Sequence, residues 1–254
     1  MCNTGSVKRW LNVRVKGRAA WPTKETIVEF GGRELVLKPA TRDTEQSIHV
    51  SLRKISDVEA LTLINRFLSV LSWCDDQAME NGYGWSGTAI PVAVPLESRA
   101  VGSSIAFPFN RNSEPNEKAR LALALFREAR TVNSVPFAFL SYFKILNIFW
   151  NDKFVTVKGK RQNPIVEGIR ETLPKLTDGL ALRRLKALTG TNIDVPKYLH
   201  ESGRCAIAHA HADPIVDPDD LSHLRRLSED IAVIKAIAEH LIKTELKVSK
   251  SILG

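Results

Sequence analysis

The sequence predicts an α+β protein, with a β-rich N-terminal domain holding one helix over residues 1–112 and an all-α domain over residues 113–254. Three observations lead there. Short runs before residue 56 alternate polar and apolar residues with the two-residue period of a strand. From residue 117 onward apolar residues recur at the three- and four-residue spacing of amphipathic helices. Between the two regimes lies 110–116 (NRNSEPN), polar and carrying a proline, the composition of a domain boundary.

Taken in order, residues 12–16 (NVRVK) make the first strand. Runs 26–30 (TIVEF) and 34–37 (ELVL) flank Gly31-Gly32-Arg33, a hairpin signal because paired glycines tolerate the positive φ of tight turns. Residues 47–52 (SIHVSL) alternate again, and the alternation assigns His49 to the solvated face. Ser56 and Glu59 have the spacing of a capping box. The helix it opens has a wide apolar stripe and ends near Cys74-Asp75-Asp76. Residues 82–87 (GYGWSG) have the glycine content of a phosphate loop but no following Gly-Lys-Ser/Thr, so they read as a turn-rich loop. Runs 89–94 and 104–107 are apolar, and prolines 91, 95 and 108 confine them to edges or connections.

In the second half, residues 117–131 form an amphipathic helix. Residues 136–150 are apolar nearly all round, which places that helix at the centre of a bundle. Residues 152–162 are rich in lysine and arginine and read as an exposed basic loop. Asn163-Pro164, Asp178 and Pro196 open further helices. Asp217, with Pro218 at the first helical position, is expected to cap a last helix that runs to about Lys247.

Composition narrows the function. A formal net charge of +8 suits a polyanionic partner such as RNA and equally suits plain solubility. Three cysteines without CxxC spacing indicate neither a disulfide framework nor a zinc site, which fits a reducing, cytoplasmic setting. No run is apolar and long enough to span a bilayer, and no signal peptide is evident. Neither a cofactor nor a metal is expected.

The chemistry concentrates in 198–220 (YLHESGRCAIAHAHADPIVDPDD), which holds three of the six histidines, His200, His209 and His211. Small residues surround them, so a ligand can approach the backbone. If the stretch is one straight α-helix, at about 100° per residue, His200, Arg204 and His211 share a face and His209 points away. A helix that ends or kinks before Pro214 brings His209 round instead, and helical geometry alone leaves the choice open.

Arg204 and His209 fit R-x4-H, and Arg204 with His211 fits R-x6-H, the signature that resembles the HEPN superfamily over about residues 115–248. Residues 139–146 (FLSYFKIL) are similar to an earlier helix of such bundles. The whole chain, with 201–210 (ESGRCAIAHA), resembles the family of methylamine utilization protein MauJ. The HEPN resemblance implies a helical bundle and a metal-independent endoribonuclease with a composite site in a homodimer. It implies Arg204 as transition-state clamp and His209 as acid/base, with His211 as the second candidate. RNA or a nucleotide is the implied partner, in a toxin–antitoxin or defence setting with an antitoxin or other protein partner. One departure stands out: HEPN nucleases commonly follow the arginine with Asn, Asp or His, and here Cys205 follows it. That opens the alternatives of an inactive nucleotide- or protein-binding module, or an accessory protein in amine metabolism. A third reading has Arg204 and His209 pairing with Glu201, Asp213 or Asp217 simply to fix the turn. Cys205 reads as a small buried side chain, not a nucleophile.

Overall fold

A computed structural model describes residues 9–87, 92–93, 116–157, 160–209 and 215–250. The expected boundary at 112/113, the runs at 89–91 and 104–107, and His211 with Asp213 lie outside the described residues. The chain divides into two units, Met1–Thr131 with Ser249–Gly254, and Val132–Val248. An antiparallel sheet occupies the first and helices dominate the second, so the protein is α+β.

In the first unit, strands β1 (Trp10–Gly17), β2 (Thr26–Phe30), β3 (Arg33–Lys38), β5 (Ser47–Ser51) and β6 (Met79–Gly87) form a sheet in the order β2-β3-β5-β1-β6. A two-residue strand β4 (Thr44–Glu45) pairs with β7 (Val92–Ala93). The predicted β2–β3 hairpin is present: Phe30 pairs with Arg33 across Gly31 and Gly32, whose φ values are +57° and +70°. Both central residues need positive φ in this turn, which glycine alone adopts without strain.

Helix α1 (Asp57–Asp75) starts from the predicted capping box, with Ser56 and Glu59 exchanging both bonds. Its Phe67 meets Phe30 of the sheet edge-on at 5.5 Å between ring centroids. Helix α2 (Glu117–Thr131) lies against α1 through Trp73 and Phe126, whose centroids are 5.1 Å apart. The chain returns to this unit at Ser249, whose carbonyl accepts from Trp73 Nε1 at 3.3 Å.

Two local readings are corrected here. Residues 82–87 belong to the edge strand β6, not to a loop. Their glycines answer a packing demand: a Cβ on Gly84 would come within 3.0 Å of the Asn12 carbonyl of β1. His49 is fully buried, not solvated, because β5 is the central strand and both its faces are covered. Its Nδ1 donates to Asn12 Oδ1 at 2.6 Å and its Nε2 accepts from Ser47 Oγ at 2.9 Å.

In the second unit, α3 (Val135–Leu146) is the predicted central helix, with Phe139, Tyr142, Phe143, Ile145 and Leu146 buried, and it packs along α8 (Leu221–Thr244). A small hairpin, β8 (Val155–Val157) and β9 (Lys160–Gln162), follows. Helices α4 (Pro164–Thr172) and α5 (Gly179–Thr189) start at Asn163 and Asp178, whose side chains accept from the first-turn amides. The last helix begins three residues later than expected. Asp220, not Asp217, caps it by accepting from Ser222 and His223, while Asp217 closes the preceding turn through the Asp219 amide. Aspartate at 217, 219 and 220 gives the sequence several equivalent caps, and proline at 218 fits a turn as well as a helix start.

His49 makes the first unit sensitive to acid. Burial, then the charge of Lys38, pushes its pKa from 6.5 down to about 4. The native sheet holds the ring neutral, whereas the unfolded chain protonates it near its ordinary value. The contribution is therefore complete above pH 6.5 and is lost as pH falls through about 4, a loss of roughly 3 kcal/mol. In denaturant titrations the stability of the wild type should fall more steeply across that window than that of His49→Gln; parallel curves would contradict the assignment.

Candidate functional site

The chemistry-bearing stretch is not a straight α-helix. A single α-helical turn, α6 (Val195–Tyr198), passes into a π-helix at Leu199–Cys205 and leaves through α7 (Ala206–Ala208). Within the π segment the Ala206 amide bonds the carbonyl of Glu201, five residues back. The wider turn brings residues five apart to one side of the helix, which α-helical spacing does not. Two features hold it open. Gly203 sits against the Phe139 ring, where a Cβ would lie 2.5 Å from the ring edge. Arg226 Nη2 of α8 donates to the Ser202 carbonyl at 2.9 Å.

The start of the segment is pinned as well. Arg170 of α4 grips Asp194 with two parallel bonds of 3.1 and 3.0 Å. Tyr198 Oη donates to Asp230 Oδ2 at 2.7 Å, and Arg184 Nε reaches Asp230 Oδ1 at 2.9 Å. Burial raises the Asp230 carboxyl above its ordinary value despite these partners.

Asp152 lies at the centre of the site. It follows α3 in the turn that leads to β8. His200 Nε2 stands 2.7 Å from Asp152 Oδ1, and Arg204 Nη2 is 2.8 Å from Oδ2. Asn163 Nδ2 also donates to Oδ1, at 3.0 Å. The Asn163 amide has one sensible orientation, because its oxygen accepts from the Ile165 amide at the start of α4. Burial alone would raise the Asp152 carboxyl; the bonds from Asn163 and His200, with the charge of Arg204, outweigh it and hold the group below its ordinary value. Asp152 is therefore an ionised acceptor, so the His200 nitrogen that faces it carries the proton. The 3.3 Å between Asn163 Nδ2 and His200 Nε2 is then two donors converging on one oxygen.

The other edge of each group faces Cys205. His200 Nδ1 lies 3.7 Å from Cys205 Sγ, a pair five residues apart that the π turn brings together. Arg204 Nη1 stands 3.6 Å from the same sulfur and 3.4 Å from His209 Nε2. Cys205 is half-buried, Arg204 is 27% exposed, and His209 is exposed. The α-helix ends at Ala208 and His209 has extended backbone. The break turns its ring toward Arg204, as a helix stopping short of Pro214 allows.

Of the residues singled out from sequence, Arg204 and His209 are adjacent, and His211 lies outside the described residues. Among the described residues Arg204 pairs with Asp152, and Glu201 pairs with Lys197. The sequence reading missed Asp152, which it placed in an exposed basic loop; its side chain is 18% exposed. Forty-eight residues separate it from His200, and no local pattern joins the two. Cys205, expected to be a small buried side chain, is half-buried with His200 Nδ1 3.7 Å from its sulfur. Among the described residues no group of three or more His, Cys, Asp or Glu side chains is arranged to hold a metal ion, and no helix is long and apolar enough to cross a membrane.

Residues 122–243 match the family model of methylamine utilization protein MauJ. The MauJ-like span contains Asp152, Asn163, His200, Arg204, Cys205 and His209, so every side chain of the site falls within it. No curated protein and no solved structure shows a significant match to the chain.

Removing the central carboxylate leaves a buried imidazole N–H and a partly buried guanidinium without their acceptor. Asp152→Ala should cost roughly 2 kcal/mol in urea unfolding. A variant as stable as wild type would show that Asp152 does not bind these groups together.

Proposed function

We infer that the site cleaves RNA without a metal, as a HEPN-type endoribonuclease acting as a homodimer. The observation that carries this reading is the Arg204–His209 pair, 3.4 Å apart at the exposed end of a broken helix. Arg204 only donates, so His209 Nε2 accepts in this contact. A phosphate oxygen is a stronger acceptor than the ring. It displaces the imidazole from Nη1 and leaves the ring beside the phosphodiester, ready to take the proton of the ribose 2′-hydroxyl. The attack of that hydroxyl gives a 2′,3′-cyclic phosphate, and the 5′-oxygen leaves as a hydroxyl by taking a proton from water, to which the ring later returns its own. Arg204, fixed through Nη2 by Asp152, meets the negative charge that builds in the transition state. The net charge of +8 favours a polyanionic substrate.

A second reading is favoured by the same ion pair. Asp152 already neutralises one edge of the guanidinium, and Cys205 stands where HEPN nucleases commonly carry a polar residue. Both suit a module that holds a nucleotide or protein partner without cleaving. The MauJ match attaches either activity to a role in methylamine utilization by the family's name alone.

Purified protein incubated with mixed RNA in EDTA should yield fragments with cyclic-phosphate ends. Activity should fall at least a hundredfold in Arg204→Ala and in His209→Ala. Nucleotide binding without cleavage would replace the nuclease by the binding module, and fragments of equal yield from both variants would remove these residues from the reaction.

A further inference from the structure

We propose that Cys205, His200 and Asp152 form a nucleophile–base–orienter triad, and that Cys205 accepts an acyl group from an activated ester or thioester. This inference does not rest on RNA cleavage. Nucleophilic thiol chemistry needs a base within reach of the sulfur, a third group that fixes the base in the correct tautomer, and a donor for the developing oxyanion. Each is present. Nε2 donates its proton to the Asp152 carboxylate at 2.7 Å, so in the neutral ring Nδ1 carries the free lone pair, and it stands 3.7 Å from Cys205 Sγ. Asn163 fixes the carboxylate from the side at 3.0 Å. Arg204 Nη1, 3.6 Å from the sulfur, is placed to donate to an oxygen on the carbon that the sulfur attacks. The thiol is half-buried, so a small acyl compound can reach it, and a cationic neighbour with partial exposure is the setting of reactive cysteines.

The widened turn is the device that assembles the pair. In an α-helix positions five apart point about 140° from each other. Here Gly203, tight against Phe139, and Arg226, on the Ser202 carbonyl, hold the geometry that brings His200 and Cys205 together. π-Turns of this kind concentrate at functional sites.

Water is the one co-reactant. The sulfur forms a bond to the acyl carbon as its proton passes to His200 Nδ1. The carbonyl electrons move to oxygen, where Arg204 meets them. They return as the bond to the leaving oxygen or sulfur breaks, and the leaving group takes the proton from His200. Water then hydrolyses the thioester with the same ring as base, releasing the carboxylic acid and restoring the thiol. Asp152 is a positioning residue that acts through His200.

Two probes test this. Iodoacetamide at neutral pH, read at each cysteine by mass spectrometry, should label Cys205 of the native chain at least tenfold faster than Cys205 of the urea-unfolded chain. His200→Gln should abolish that advantage. Asp152→Asn should lower the native rate at neutral pH and recover it as pH rises and the thiol ionises without the ring. p-Nitrophenyl acetate should give a burst of nitrophenolate of about one per chain, with one acetyl group on Cys205, and Cys205→Ser should lose both. Labelling of the native Cys205 no faster than in the unfolded chain, or acetylation only at other residues, would overturn the proposal. The wild-type comparison decides by itself if the His200 variant does not fold.

Discussion

One carboxylate holds the site together. Asp152 divides its two oxygens between an imidazole and a guanidinium that lie four residues apart on a distorted helix. The arrangement persists because each partner is already constrained from elsewhere. Asn163 is held by its capping bond, and the π segment is held by Gly203, Arg226 and the bonds to Asp194 and Asp230. A carboxylate in partial burial is costly unless its acceptors are filled, and three donors fill them.

The two proposed chemistries follow from how this carboxylate spends one face of each partner. It takes Nε2 of His200 and leaves Nδ1 for the sulfur. It takes Nη2 of Arg204 and leaves Nη1 pointing at both Cys205 and His209. Arg204 is thus common to both readings. In one it meets a phosphorane-like charge beside His209, and in the other a tetrahedral oxyanion beside Cys205. Both are electrostatic tasks for a fixed donor, and a guanidinium pinned at one edge loses little freedom when it performs either.

The secondary structure that builds the frame was legible in the sequence. The Gly31-Gly32 turn, the Ser56–Glu59 capping box, the caps at Asn163 and Asp178, and the apolar α3 are all signals carried by neighbouring residues. So was the concentration of Arg204 and His209 in one stretch. What the sequence did not disclose depends on residues far apart. The buried state of His49 follows from β5 being the central strand, which is a property of the sheet order. Asp152 joins His200 and Arg204 only when the turn after α3 meets the π-helix. The π-helix itself has no local code here; it arises where Phe139 and Arg226, from two other helices, meet Gly203 and the Ser202 carbonyl. With α-helical spacing assumed, Cys205 and His200 fall on different sides, and the relation between them disappears.

The nitrogen of His200 that carries the proton decides what the ring can do, and two-bond proton–nitrogen correlation spectra of the imidazole read it directly. The bond to Asp152 predicts a proton on Nε2 and a lone pair on Nδ1, and a change in that pattern in Asp152→Asn. A ring protonated at Nδ1, or a pattern indifferent to Asp152, would contradict it.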